Sequence, residues 1–430
     1  MFRKWLPLFL LLVLMATLAA CGGAAAPTDS ETATTAAPAG EATDAPATGE
    51  VATEAAATAE VVSTAEPSAP EAATQPAVAI LCPEVPRPAL LLSMGTGFEL
   101  HNPLSGERCA VPGLTEDIGP EVIGGDSIYF MQRNPEGTTV SIARVGPDGA
   151  VELLPGTEAS GDTYYLQQFT VAADGSRLAW SQSQPVGGEA NPMGLSSTMW
   201  LADAGGANAM TAFVDIIGGP NHIATPIRFT GDGQTLYFTW QPIGLGGAWS
   251  SFNGRYDNIY RLPAAGGNWE VVFDCADRQL FLCIGDFKDD GTLAYIDAER
   301  AIHVVGPDGA EVAAIATADD YAGYPTFNAD GDLFYSTAVL PQDDSAVPFP
   351  SPGTVYRVAA PYTGSPEVVA SAGGVLTAAG AQPFLDATHL VIGYAEGEMW
   401  GSALLDTTTG AITRLEPWPN AYLSAVWPAQ

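Results

Sequence analysis

From about Ala77 to the C-terminus, apolar residues come in short runs or alternate with polar ones, and Gly, Pro, Asp or Asn ends each run. No ten-residue window carries a helical period. Strand-length runs at even spacing, with turn signals between them, predict an all-β repeat fold. Phe229–Phe238, FTGDGQTLYF, reads as strand, tight turn, strand. Near copies stand at Phe169–Trp180 (FTVAADGSRLAW), Phe287–Ile296 (FKDDGTLAYI) and Phe327–Ser336 (FNADGDLFYS). Each copy belongs to a unit that also holds a hairpin, as at Asn258–Phe273, Thr139–Leu154 and Ala301–Ile315, and VGPDGA occurs identically at Val145–Ala150 and Val305–Ala310. Asp bonds its own backbone two residues on, Pro presets φ, and Gly takes the positive φ of a tight turn. These glycines are therefore turn chemistry, not phosphate loops.

Four strands per unit, repeated, is the pattern of a β-propeller. Units fall near 117–155, 163–214, 224–273, 280–316, 321–370 and 376–416. An earlier unit, Pro88–Met94 with Gly97–Val111, lacks an inner strand, and Tyr422–Pro428 supplies a spare one. Pairing the two closes the ring and removes sheet edges. The expectation is seven blades, with six or eight as alternatives. Asp-Gly followed by an apolar triplet, as in ADGSRLAW and GDGQTLYF, resembles the TolB-type, WD-repeat-like β-propeller over Arg87 to Gln430. The family's common Ser-Pro-Asp-Gly is here Ala-Ala-Asp-Gly, Thr-Gly-Asp-Gly, Lys-Asp-Asp-Gly and Asn-Ala-Asp-Gly. The resemblance implies architecture only, because that repeat serves binding scaffolds, accessory domains and sugar-active enzymes alike.

The N-terminus changes the expected location. Phe2-Arg3-Lys4 precedes an apolar run, Trp5 to Leu18, too short to span a bilayer as a stable helix. Leu18-Ala19-Ala20-Cys21 closely resembles a bacterial lipobox. That resemblance implies cleavage before Cys21, lipid on its thiol and new amine, and a lipoprotein held at the cell envelope outside the cytoplasm. Gly22 to about Pro76 contains no Lys, Arg, Phe, Trp or Tyr. Such a segment cannot bury enough apolar area to offset ordering, which predicts a disordered linker. The expected organisation is signal peptide 1–20, lipidated Cys and linker 21–78, and propeller 79–430.

Formal charge is −34, and beyond Val78 only Lys288 and twelve arginines are basic. Such a surface repels phosphate backbones, so nucleic acid is excluded as a partner. Four cysteines remain after Cys21, and in an oxidising space proximity pairs Cys82 with Cys109 and Cys275 with Cys283. Four separate buried thiols are the alternative. The spacing lacks a Cys-x-x-Cys pair for zinc.

Catalytic signals are sparse. No Gly-x-Ser-x-Gly elbow occurs. His101, His222, His303 and His389 are scattered through separate units. Packed or solvated strand histidines are the plain reading, and convergence on the central channel stays open. The acidic pairs Asp289-Asp290, Asp319-Asp320 and Asp343-Asp344 read as solvated turns. Asn328–Asp332 hints at Ca²⁺ without an EF-hand register; no cofactor is expected otherwise. More informative are extra residues at Pro185–Ser197, Gln241–Asp257 and Leu340–Gly353, each between the second and third strands of a blade. Those loops share a rim with the blade-to-blade connectors, including the one at His222 and the Cys275–Cys283 loop, and the Asp-Gly turns take the other rim. Trp249, Phe252, Arg255, Tyr256 and Phe349 lie in the insertions. Aromatics with an Arg on loops suit a binding surface, although such rings also cap local cores. The expected role is recognition of a protein, peptide or glycan at this loop-rich face, with no enzyme activity required. The alternatives are a carbohydrate- or lactone-active enzyme with a channel metal, and a structural component of an envelope assembly.

Overall fold

The computed structural model describes residues 81–427, apart from 96, 115–120, 161–166, 187–193, 219–221, 243–257, 275–284, 298–300, 318–320, 339–352, 373–374, 377–383, 397–398 and 418–421. The described residues form strands and turns, with no helix among them. Seven antiparallel sheets form the ring of a seven-bladed β-propeller. Blade 1 orders Tyr422–Trp427, Ala89–Ser93, Phe98–His101 and Arg108–Val111 from the inner strand outward. Blade 2 follows with Val122–Gly124, Ser127–Arg133 and Thr139–Val145, and its outer position is shared by Val151–Leu153 and Ala159–Ser160. Blade 3 is Gln167–Val171, Arg177–Val186, Gly194–Asp203 and Met210–Gly218; blade 4 is His222–Phe229, Thr235–Pro242, Asn258–Pro263 and Glu270–Asp274. Blade 5 is Gly285–Phe287, Leu293–Ile296, Ile302–Val305 and Glu311–Ile315; blade 6 is Tyr321–Phe327, Leu333–Ala338, Gly353–Val358 and Glu367–Ala372. Blade 7 is Val375–Leu376, His389–Glu396, Met399–Asp406 and Ile412–Arg414.

The second strands read as unbroken apolar runs because each blade is covered on both faces. Leu90, Leu91 and Leu92 are all fully buried. Leu91 packs with Ile128 and Phe130 of blade 2. Leu90 and Leu92 turn the other way, onto Val391 and Leu404 of blade 7. In blade 4, Leu236, Phe238 and Trp240 join the blade 3 core, and Tyr237 joins Phe287 and Tyr295 of blade 5. Between the strands, the Asp-Gly turns close as the sequence predicts. Asp174, Asp232 and Asp290 each accept the N–H two residues on, from Ser176, Gln234 and Thr292 at 2.9, 3.0 and 2.8 Å. Gly233, at φ +67°, and Gly291, at φ +89°, take the left-handed position that follows.

The ring closes where Ala89–Ser93 pairs antiparallel with Tyr422–Trp427, from Ala89↔Trp427 to Ser93↔Tyr422 with one bulge. Trp427 is 2% exposed. Its indole N–H donates to the Gly125 carbonyl of blade 2 at 3.2 Å. The Arg87 guanidinium lies 4.2 Å over its ring and bonds Asp126 at 2.5 Å. One side chain near the end of the chain thus fastens blade 1 to blade 2. A disulfide joins Cys82 to Cys109, Cα–Cα 5.7 Å, so that Leu81, Cys82 and Val85 pack with Val111 and Leu114. Cys275 and Cys283 lie outside the described residues, as do Cys21 and everything before Leu81.

We expect Trp427→Ala to lower the unfolding free energy by about 3–5 kcal/mol, because it leaves a cavity at the closing seam and removes the ring over which Arg87 stacks. Urea unfolding followed by tryptophan fluorescence and circular dichroism measures it. A loss under about 1 kcal/mol, the size of an exposed-site change, would contradict the seam's importance.

Candidate binding face

In a four-stranded meander, the first and third turns share one end, and the second turn shares the other with the connectors. The second strands that precede the three insertions and the third strands that follow them meet one rim; the Asp-Gly turns lie on the opposite rim. Of the stretch Pro185–Ser197, expected to be loop, Pro185–Val186 and Gly194–Ser197 are strand instead. Arg177–Val186 and Gly194–Asp203 pair without slippage from Arg177↔Asp203 to Val186↔Gly194. The equivalent strands of blade 5 have only four residues each. Blade 3 thus carries a long hairpin toward this rim, and only 187–193 remain outside the described residues.

The stem of that hairpin is tied to blade 4 by buried hydroxyls. Ser183 and Ser197 share a hydrogen bond at 2.5 Å. Ser197 also accepts from the Ala224 N–H at 3.2 Å, and Ser181 donates to the Ala224 carbonyl at 2.5 Å. All three serines are buried, and mutual bonding removes the cost of placing hydroxyls there. Leu195 and Ile223 pack together beside them. No apolar signal marks Ser-Gln-Ser-Gln as strand. All four residues are polar, so they offer no alternation of apolar and polar positions to read as strand.

His222 begins the inner strand of blade 4, paired with Pro242, and its backbone therefore sits on the loop-rich rim. Trp249, Phe252, Arg255, Tyr256 and Phe349 lie outside the described residues. The three other histidines do not come together. His101 is buried in blade 1, where burial and the nearby Arg108 charge push its pKa down to about 4. His303, in blade 5, sits between Asp297 at 2.8 Å and Glu311 at 2.7 Å, stacked on Tyr295. His389, in blade 7, bonds Asp386 at 2.8 Å.

Asn328–Asp332 forms a turn. The Asp332 carboxylate is held by Arg357 at 2.5 and 2.8 Å and by the Ala360 N–H at 3.0 Å. Cys82, Glu84 and Cys109 cluster, but the disulfide uses both sulfurs and leaves one carboxylate.

Nearer the ring axis, inner strands of blades 4, 5 and 6 are linked by charge. Arg228 follows a bulge, stacks 4.2 Å over the Phe287 ring, donates to the Phe287 carbonyl and lies 3.4 Å from Asp289. Asp286 accepts from the Phe287 and Phe327 N–H groups, both at 2.9 Å, and from the Thr326 hydroxyl at 3.2 Å. Burial pushes its carboxyl pKa up, against the pull of Arg228 and these donors. Sequence reasoning missed this link, because nothing local marks a residue whose partners come from the next blade.

No family model and no curated relative matches the chain. Solved structures do, at low identity. An acylaminoacyl peptidase of Pyrococcus horikoshii is 14% identical with a TM-score of 0.47, over 77% of this chain and 50% of that one. An oligogalacturonate lyase of Vibrio parahaemolyticus is 12% identical with a TM-score of 0.47, over 79% and 90%. A TolB-like protein of Agrobacterium tumefaciens is 13% identical with a TM-score of 0.34, over 58% and 79%. The chain spans about half the length of the peptidases it matches.

Burial alone lowers the His303 pKa, but its bonds to Asp297 and Glu311 and their charges outweigh this and raise it. A raised histidine pKa stabilises the fold fully below the unfolded value, 6.5, and the contribution is lost as pH rises through the folded value. We expect His303→Gln to be more destabilising at about pH 5.5 than at about pH 8.5 in urea melts. Equal losses at both would show that the ring serves only packing.

Proposed function

We propose that the protein is a lipid-anchored, extracytoplasmic binding propeller of a bacterial envelope that recognises a protein, peptide or glycan at its loop-rich face. The observation that carries this reading is that the strands flanking all three insertions end at one rim, above a stiff base. Two of them leave adjacent blades, 3 and 4, whose strands at this end are cross-tied through Ser181, Ser183, Ser197 and the Ala224 backbone. The blade 4 insertion carries Trp249, Phe252, Arg255 and Tyr256, and that of blade 6 carries Phe349. Large rings and Arg give contact area at low entropic cost, and a rigid base reduces what must be ordered on binding. His222 begins the strand at the foot of the blade 4 insertion.

The lipid is attached at Cys21, and 21–78 is the linker. Two or more acyl chains, at about 0.8 kcal/mol per buried methylene, anchor stably. The catalytic alternative needs several His and carboxylate side chains in one channel pocket. His101, His303 and His389 instead serve three separate blades, which favours binding. A purely structural role in an envelope assembly predicts indifference to the insertion side chains.

Replacing Trp249 and Tyr256 together by Ala is expected to abolish capture of a partner from cell-surface extract by the immobilised protein. Unchanged capture would remove the loop-rich face from consideration. Separately, Cys21→Ser is expected to move the protein from the membrane to the soluble fraction after cell lysis. Retention in the membrane would rule out the lipid anchor.

A further inference from the structure

The seam between blades 4 and 5 opens, on the Asp-Gly rim, into two adjoining cavities of about 560 and 390 Å³ that share Gly291. The outermost strand of blade 4, Glu270–Asp274, contributes to both. It ends its sheet, with Asn258–Pro263 on one side and, among the described residues, no strand on the other. Val271 on this strand is 49% exposed. The inner half of the seam is filled by Tyr237, Phe287, Phe273 and Tyr295. The outer half stays open because small or compact turn residues of blade 5, Gly291 and Pro307 among them, face it.

The two ends differ in chemistry. The first cavity is lined by Asp232, Glu270, Asp289 and Asp290, with Arg261 as its one cation. Arg261 is spent on Glu270. Asp289 lies 3.4 Å from Arg228, and Asp290 lies 3.2 Å from Lys288, both cations standing behind the lining. The Asp232 carboxylate serves its own turn, accepting from the Thr230 hydroxyl at 2.6 Å and the Gln234 N–H at 3.0 Å. These donors hold its pKa below the usual range, so it is ionised at neutral pH. The second cavity is lined by Val272, Phe273, Leu293, Val305 and Pro307.

An extended chain beside a sheet edge sends alternate side chains to the same face. We propose that this groove docks an extended peptide segment beside Glu270–Val272, with a lysine or arginine in the carboxylate end and an apolar side chain in the cavity lined by Val272, Leu293 and Pro307. Charge favours a cation at the first position: its four carboxylates face three cations, Arg228, Arg261 and Lys288, which leaves the end net negative. The site lies on the opposite rim from the insertions and does not depend on what they bind.

The probes are fluorescein-labelled hexapeptides with Arg and Leu two residues apart, such as Thr-Arg-Thr-Leu-Thr-Gly, and versions with Glu for Arg or Gly for Leu. Anisotropy titrations use the whole propeller. The Arg–Leu peptide is expected to bind about tenfold or more tightly than either control, and more weakly at high salt. Asp232→Asn with Asp290→Asn keeps the side-chain oxygens of both turns and is expected to cost the Arg peptide about tenfold. Asn268→Lys, on the exposed turn beside the groove, is expected to weaken it as well by occupying the acidic end. It decides the matter if the double variant unfolds more easily. Trp249→Ala with Tyr256→Ala should leave peptide binding unchanged. Equal binding of the three peptides, no binding at millimolar peptide, or full binding by Asn268→Lys would overturn the proposal.

Discussion

Every blade depends on having a neighbour on each side. A sheet whose second strand is Leu90-Leu91-Leu92, with all three side chains fully buried, has no face it can show to water. Leu91 needs blade 2 and Leu90 needs blade 7, and the same division recurs at Phe238 and Tyr237 in blade 4. Removing any one joint exposes two apolar faces at once, so the joint formed last in the chain, Tyr422–Trp427 on Ala89–Ser93, determines whether the others can all exist. That burden explains why Trp427 is held by a packed ring, an indole hydrogen bond and a stacked guanidinium together. The rims carry no such burden. Their turns and loops can vary without opening a core, which is where insertions have accumulated.

How much of this was legible follows from the range of each interaction. The Asp-Gly turns are contacts over two residues, so Asp174, Asp232 and Asp290 could be read directly with their partners. The spare strand at Tyr422–Trp427 was legible because a repeat count left one unit short of an inner strand. Blade 2 was harder. Its outer position is split between Val151–Leu153 and Ala159–Ser160, and the buried Thr157 between them accepts from Ile142 and donates to the Leu154 carbonyl. The Ser-rich stem of blade 3 looked like loop because its hydroxyls are satisfied by blade 4, a partner no local pattern reveals. The same holds for Arg228 and Asp286, and for the groove beside Glu270–Asp274, whose walls lie on two blades.

The chain's charge takes on a different meaning once its cations are located. Several basic residues among the described ones are engaged by partners within the molecule. Arg87 clasps Asp126, Arg108 reaches the Glu416 carbonyl beyond blade 7, Arg357 holds Asp332, and Lys288 meets Asp290. Exposed pairs of this kind contribute little stability each. Their larger effect is on what remains: cations are consumed by internal partners, and the excess carboxylates face solvent.

Three blades show how neighbouring turns vary the charge around one repeated arrangement. Strand register places an aromatic, an Arg and a Glu side by side as Tyr129–Arg144–Glu152 in blade 2, Tyr237–Arg261–Glu270 in blade 4 and Phe334–Arg357–Glu367 in blade 6. In blade 2, Arg144 pairs with Glu152, and the adjoining cavity, of about 410 Å³, holds one further acid, Asp148 of its own turn. In blade 6, Arg357 is drawn away to Asp332. In blade 4 the Arg is likewise spent on its Glu, but the next blade adds Asp289 and Asp290 to the same cavity. One repeated triplet thus borders two cavities and forms one structural clasp, and the difference comes from which charged groups the neighbouring turns supply.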